Sequence, residues 1–104
     1  MIPADLISKK RDGESLSAEE IKWFIDGFLS GTVSEGQMTA LLMAVYFRGM
    51  SDDETFSLVD VMLNSGARLD FSSSESYVAD KHSTGGIGDK VSLVIAPLMV
   101  SAGL

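Results

Sequence analysis

Apolar residues recur at helical spacing through the first two thirds of the chain. Ile21, Phe24, Ile25 and Phe28 fall on one helical face, as do Met38, Leu41, Leu42 and Val45, and then Leu58, Val59, Met62 and Leu63. The stretch MTALLMAVYF is apolar almost all round, which predicts that helix 38–49 is the most buried of the set. Each segment opens on a capping-box pattern: Ser17 with Glu20, Ser34 with Gln37, Ser51 with Glu54. In such a box the hydroxyl accepts from a free first-turn N–H, and the Glu or Gln side chain reaches back to the serine's own N–H. The three serines stand 17 residues apart, enough for three to four turns and a short loop, as in an antiparallel helical array. Gly31, Gly49 and Gly66 close the segments. An earlier helix is predicted from Pro3, at home in a first turn, to the cations Lys9, Lys10 and Arg11, with Gly13 just beyond.

After Arg68 the texture changes. RLDFSSSES is polar and serine-rich, and reads as a solvated connector. Tyr77, Val78 and Ala79 form a short strand candidate that leads into a glycine-rich turn. A last helix is predicted to start near Asp89 as N-cap, with Val91, Val94, Ile95 and Leu98 on one face and a kink at Pro97. The fold expected is therefore mostly α. It comprises an N-terminal helical domain at 1–66, a linker at 67–76, and the first strand–loop–helix of an α/β domain at 77–104.

Composition narrows the classes. The chain has 104 residues, 45% hydrophobic, which suits one small domain or part of a larger protein and argues against disorder. Fifteen acids face eight bases, and a net charge of −7 argues against nucleic acid as the main partner. With no cysteine and one histidine, His82, neither a disulfide framework nor a thiolate or histidine-rich metal site is expected. No apolar run approaches the roughly 20 residues that span a bilayer, so no membrane association is expected. The first residues, MIPADLISKK, turn polar too early for a secretory signal, which points to the cytoplasm. The acidity is uneven: residues 1–80 carry −8, whereas residues 81–104 carry two lysines and one aspartate.

That local reversal of charge falls on the segment with the richest chemistry, DKHSTGGIGDKVS. Strand, glycine-rich turn and helix start together build an anion site, because glycines let backbone N–H groups approach a phosphate and the helix N-terminus adds partial positive charge. Lys81 adds a full charge, and Ser83, Thr84 and Ser92 add hydroxyl donors, with Ser92 in the first helical turn facing the same pocket. Two familiar loops do not fit. A Walker A loop needs a glycine five residues after Gly85, where Lys90 stands. A dinucleotide fingerprint needs a third glycine at Val91. His82, between a lysine and a phosphate loop, can donate a hydrogen bond or a proton to a bound substrate.

The string KHSTGGIGDKVSL resembles the signature of the thymidine phosphorylase and pyrimidine-nucleoside phosphorylase family. DLISKKRDGESLSAEEIKWFIDGFLSG and QMTALLMAVYFRGMSDDET resemble the family's N-terminal helices in the same order, so the resemblance covers essentially the whole chain. It implies a phosphorolysis, in which inorganic phosphate attacks the anomeric carbon of a pyrimidine nucleoside and releases the base and a pentose 1-phosphate. It implies that Lys81, Ser83 and Ser92 contact phosphate, with Thr84 and the backbone of Gly85 and Gly86 nearby, and that His82 lies by the pyrimidine. In the bacterial pyrimidine-nucleoside branch, carbonyl oxygens matching Gly88 and Lys90 help bind potassium, and a carbonyl ligand tolerates lysine there. No organic cofactor is implied. A homodimer through the N-terminal helices is, with Phe24, Phe28, Tyr46 and Phe47 as candidates for an apolar surface.

Two other readings are weighed. Anthranilate phosphoribosyltransferase shares a helical start and a glycine-rich phosphate loop, but its loop reads G-T-G-G-D-G followed by T-F-N-I-S-T, and neither run occurs here. Residues 1–66 could also serve as a helical association module without catalysis. Members of the resembled family are several times longer, so the expectation is an N-terminal portion that does not turn over nucleoside alone.

Overall fold

A computed structural model describes residues 1–81 and 90–103. The chain divides into two compact units, Met1–Arg68 and Leu69–Leu104. The first holds four helices: α1 (Pro3–Arg11), α2 (Ala18–Ser30), α3 (Glu35–Arg48) and α4 (Asp52–Ser65). The second holds α5 (Lys90–Ser101).

All three capping boxes form with both arms made. Ser17, Ser34 and Ser51 each accept from the N–H three residues on at 3.2 Å. Glu20, Gln37 and Glu54 accept in return from the serine N–H at 2.8, 2.9 and 3.0 Å. Three of the stops use the positive φ open to glycine: Gly13 has φ +93°, Gly31 φ +87° and Gly49 φ +73°.

The helices do not pack in chain order. The principal pairs are α1 with α3 and α2 with α4. The core between them is Leu6, Leu16, Ile21, Phe24, Val33 and Leu41, with Phe24 wholly enclosed. Ile7, Trp23, Ile25, Phe28, Met38, Leu58 and Val61 pack against it partly buried. Val33 sits so close to α2 that a Cβ on Gly27 would meet its Cγ2 at 2.8 Å, while the Val33 N–H bonds the Gly27 carbonyl. Glycine at position 27 is thus a requirement of close approach.

Two expectations about burial are corrected. Helix α3 is not the most buried, because only Leu41 and Ala44 are enclosed while Leu42, Met43, Tyr46 and Phe47 are exposed. Its apolar girdle exceeds what α1 and its other neighbours in the unit cover. In α4 the inward residues are Glu54, Leu58 and Val61, whereas Val59, Met62 and Leu63 face outward. The polar Glu54, absent from an apolar count, sets which side turns in.

Glu54 is buried with Lys10, whose ammonium donates to both its carboxylate oxygens at 2.9 Å, and it also accepts from the Leu16 N–H at 3.0 Å. Burial works against its ionisation. The N–H groups of Ser51 and Leu16 and the Lys10 ammonium outweigh that cost and hold the carboxyl at about 2. Lys9 repeats the theme on the next helix, donating to both oxygens of Glu20 at 3.0 and 2.9 Å. The N–H of Ser17, then Lys9, draws the Glu20 carboxyl below its ordinary value. Two successive lysines ending α1 therefore grip the capping glutamates of α2 and α4. Arg48, ending α3, donates to the Arg11 carbonyl at 2.7 Å and satisfies one of the bare acceptors at the end of α1.

In the second unit the strand expected at residues 77–79 is not formed, and residues 75–81 have no regular element beyond a bend. A strand needs a ladder of partner N–H and C=O groups, and no strand occurs among the described residues. Helix α5 begins at Lys90, where a last helix was expected, and runs through Pro97. Of its expected face, Val94 and Leu98 are exposed and Ile95 is half-buried. The Val91 side chain and the expected N-cap Asp89 lie outside the described residues.

Candidate functional site

Chemistry in the second unit gathers where the chain after the connector meets the first turn of α5. Lys81 lies before the turn and Ser92 is the third residue of the helix. Eleven positions apart, they come together: the Lys81 ammonium donates to Ser92 Oγ at 2.6 Å. Both border a cleft of about 450 Å³ whose other walls are Tyr77, Ala79, Asp80, Ile95, Ala96, Met99 and Val100.

The helix provides the fixed part of this arrangement. Ser92 stands in the first turn of α5, so its hydroxyl is presented from a helix. Lys81 reaches it from irregular chain on a long, exposed side chain. An ammonium has three protons and a hydroxyl one, so after their mutual bond the pair retains donors for an oxyanion. Charge-assisted donors of this kind are what phosphate recognition uses. The apolar side of the cleft is Ile95, Ala96 and Met99, and among the described residues Asp80 is the one carboxylate that lines the cleft.

Of the residues expected to hold phosphate, the structure thus brings Lys81 and Ser92 together. His82, Ser83, Thr84, Gly85, Gly86 and Gly88 lie outside the described residues. Lys90 is the first residue of α5. Among the described residues no three His, Cys, Asp or Glu side chains gather as a metal site. Nor is any helix there long and apolar enough to cross a membrane.

The first unit carries a second surface of interest. Tyr46 and Phe47, three-quarters or more exposed, stack edge to face with ring centroids 5.4 Å apart. Beside them an apolar groove of about 230 Å³ runs between α1 and α3, lined by Ile7, Ala40, Met43, Ala44 and Phe47 and flanked by Arg11 and Arg48. Of the four aromatic residues expected on such a surface, Phe24 is instead in the core and Phe28 is partly buried against it. The sequence reading also missed the grips of Lys9 and Lys10. The available signal was a pair of cations ending one helix and acids opening two others.

Comparison with known proteins agrees with this architecture. Residues 4–66 match the family described as "Glycosyl transferase family, helical bundle domain". The chain is 49% identical over 100 residues to a pyrimidine-nucleoside phosphorylase of Geobacillus stearothermophilus, covering 96% of this chain and 23% of that protein. It is 48% identical over 97 residues to a protein of the same name from Staphylococcus aureus, covering 93% and 22%. A thymidine phosphorylase of Rhizobium meliloti is 50% identical over 103 residues, covering 99% and 23%. The chain therefore spans less than a quarter of the length of these curated relatives.

Proposed function

This chain belongs to the glycosyl transferase family whose helical bundle domain it carries at residues 4–66, and from that premise we propose that it supplies the phosphate-holding portion of a pyrimidine nucleoside phosphorylase. The observation that carries the reading is the match to proteins of that name and to a thymidine phosphorylase, which runs through 93–99% of the chain and so extends beyond the bundle. The juxtaposition of Lys81 and Ser92 at 2.6 Å on an open cleft supports it.

The reaction asks for three things: a fixed phosphate, compensation for charge on an oxocarbenium-like transition state, and protonation of the departing base. A phosphate oxygen forms a bond to the anomeric carbon as the bond from that carbon to the base nitrogen breaks, and the base leaves with the electron pair. In this reading Lys81, Ser83 and Ser92 hold the phosphate, with Thr84 and the N–H groups of Gly85 and Gly86 beside them. His82 lies by the pyrimidine and supplies the hydrogen bond or proton that helps it leave. Backbone carbonyls of Gly88 and Lys90 are the proposed potassium ligands, and hard oxygen donors suit such an ion. The exposed Tyr46–Phe47 face of α3, with the groove beside it, is proposed to pair two copies of the protein. The protein is assigned to the cytoplasm.

The test has two parts. Inorganic phosphate titrated into the 104-residue chain is expected to shift the amide resonances flanking Lys81 and Ser92, and Lys81→Ala is expected to abolish the shift. Grafting these residues in place of the matching quarter of the 49%-identical relative tests the reaction itself. The chimera is expected to release thymine or uracil from the nucleoside only when phosphate is present, and Lys81→Ala should lower kcat/KM by about 100-fold or more. A folded chimera without phosphate-dependent base release would refute the assignment.

A further inference from the structure

Lys81 and Ser92 share the candidate site with a carboxylate. Asp80 precedes Lys81 in the chain and lines the same cleft. A carboxylate so placed is the natural partner for the ammonium. An Asp80–Lys81 pair would neutralise the one full positive charge that the described part of the site offers an anion. The structure does not pair them: among the described residues Lys81 forms no ion pair and donates instead to the neutral hydroxyl of Ser92. That bond spans 2.6 Å, and its donor is a full cation. Its acceptor is held on a helix, whereas Asp80 sits on irregular chain.

Resting on the phosphate-site reading above, we infer that Ser92 is a positioning residue which keeps the Lys81 ammonium away from Asp80, so that its charge stays available to an incoming phosphate. A neutral acceptor suits this task. It fixes the direction of the lysine without cancelling its charge, and it yields readily when a phosphate oxygen offers a stronger partner. The hydroxyl keeps its own proton free to donate to the same anion. Among the described residues Tyr77 is the other polar side chain on the cleft wall, and it carries no carboxylate to draw the cation.

The test follows the Asp80 carboxyl carbon by NMR through an acid titration of the 104-residue chain, without phosphate. In Ser92→Ala the released ammonium falls toward Asp80, and the midpoint of that carboxyl is expected to drop by about half a pH unit relative to the unmodified chain, the size of an exposed ion pair. Ser92→Thr, which keeps the hydroxyl, should restore the original midpoint. Backbone shifts of α5 report whether each variant keeps its helix, and the threonine variant carries the comparison if alanine disturbs it. Identical midpoints in the unmodified chain and in Ser92→Ala, with α5 intact, overturn the inference. Phosphate is then titrated separately: affinity about fivefold weaker in Ser92→Ala, with recovery in Ser92→Thr, is the expected result. An unmodified chain with no phosphate response would refute the phosphate-site reading, whereas the Asp80 midpoint alone decides the role of Ser92.

Discussion

At the scale of the residue, Glu54 shows how one side chain can carry several duties. It caps α4, bonds the Leu16 N–H and neutralises a buried lysine. Its folded-state carboxyl sits at about 2, well under the ordinary 4.5. The stabilisation this represents is therefore fully present above pH 4.5 and is lost as pH falls through about 2. Shift and linkage together put it at about 3 kcal/mol. Urea midpoints measured from pH 6 down to pH 2 should fall mainly across that window, and Glu54→Gln should flatten the fall. The same substitution leaves Lys10 buried without its counter-charge, so it is expected to cost about 3–5 kcal/mol at neutral pH, as read by denaturation. Gly27 makes a second residue-level case. Gly27→Ala gains helix propensity, yet its methyl must displace the enclosed Val33, and a net loss of about 1–3 kcal/mol is expected. Val33→Ala in the same chain should remove most of that specific penalty in a double-mutant cycle. The sequence does not advertise either feature, because each depends on a neighbour that only the tertiary fold supplies.

At the scale of the element, the helix starts were legible and the helix partners were not. Ser17, Ser34 and Ser51 signal their boxes through residues three positions away, and local hydrogen bonding is enough to make the signal true. The pairing of α1 with α3 and α2 with α4 is a long-range outcome. Apolar spacing says that a face exists, not what covers it, which is why α3 read as buried while Tyr46 and Phe47 stand in the open. The strand at residues 77–79 failed for a related reason, since β-branched and aromatic texture needs a partner ladder before it becomes a strand. Of the candidate site, the lysine and serine were legible as donor types. That Ser92 would accept the lysine's hydrogen bond in preference to Asp80 was not, because their order in the chain favours the neighbour. The caps also permit a graded comparison. Ser34→Ala removes an isolated box and should cost about 1 kcal/mol in urea denaturation. Ser51→Ala should cost more, because the glutamate it helps to orient also holds Lys10.

At the scale of the whole molecule, the two units differ in how their apolar surface is used. In Met1–Arg68 the core encloses Phe24 and Val33, whereas Leu93, Val94, Leu98 and Val100 of α5 are all exposed. Hydrogen exchange should report this directly, with slow amides around Ile21–Phe24 and Leu41–Ala44 and amides of α5 exchanging several-fold faster. The exposed α3 face belongs to the same scale: if it pairs two copies, Phe47→Glu should shift sedimentation from dimer to monomer while leaving the helical circular dichroism intact. The double grip ending α1 bears on how such a bundle assembles. Helix α1 is made before its partners, yet Lys10 must wait for a carboxylate 44 residues later and Lys9 for one 11 residues later. Closing that longer loop is the slow, entropically costly event, and until it happens a lysine bound for the interior remains in water. Folding of the bundle should therefore be rate-limited by the arrival of α4, and an interruption of synthesis before Glu54 would leave α1 tied to α2 through Lys9 and Glu20 while Lys10 has no carboxylate to meet.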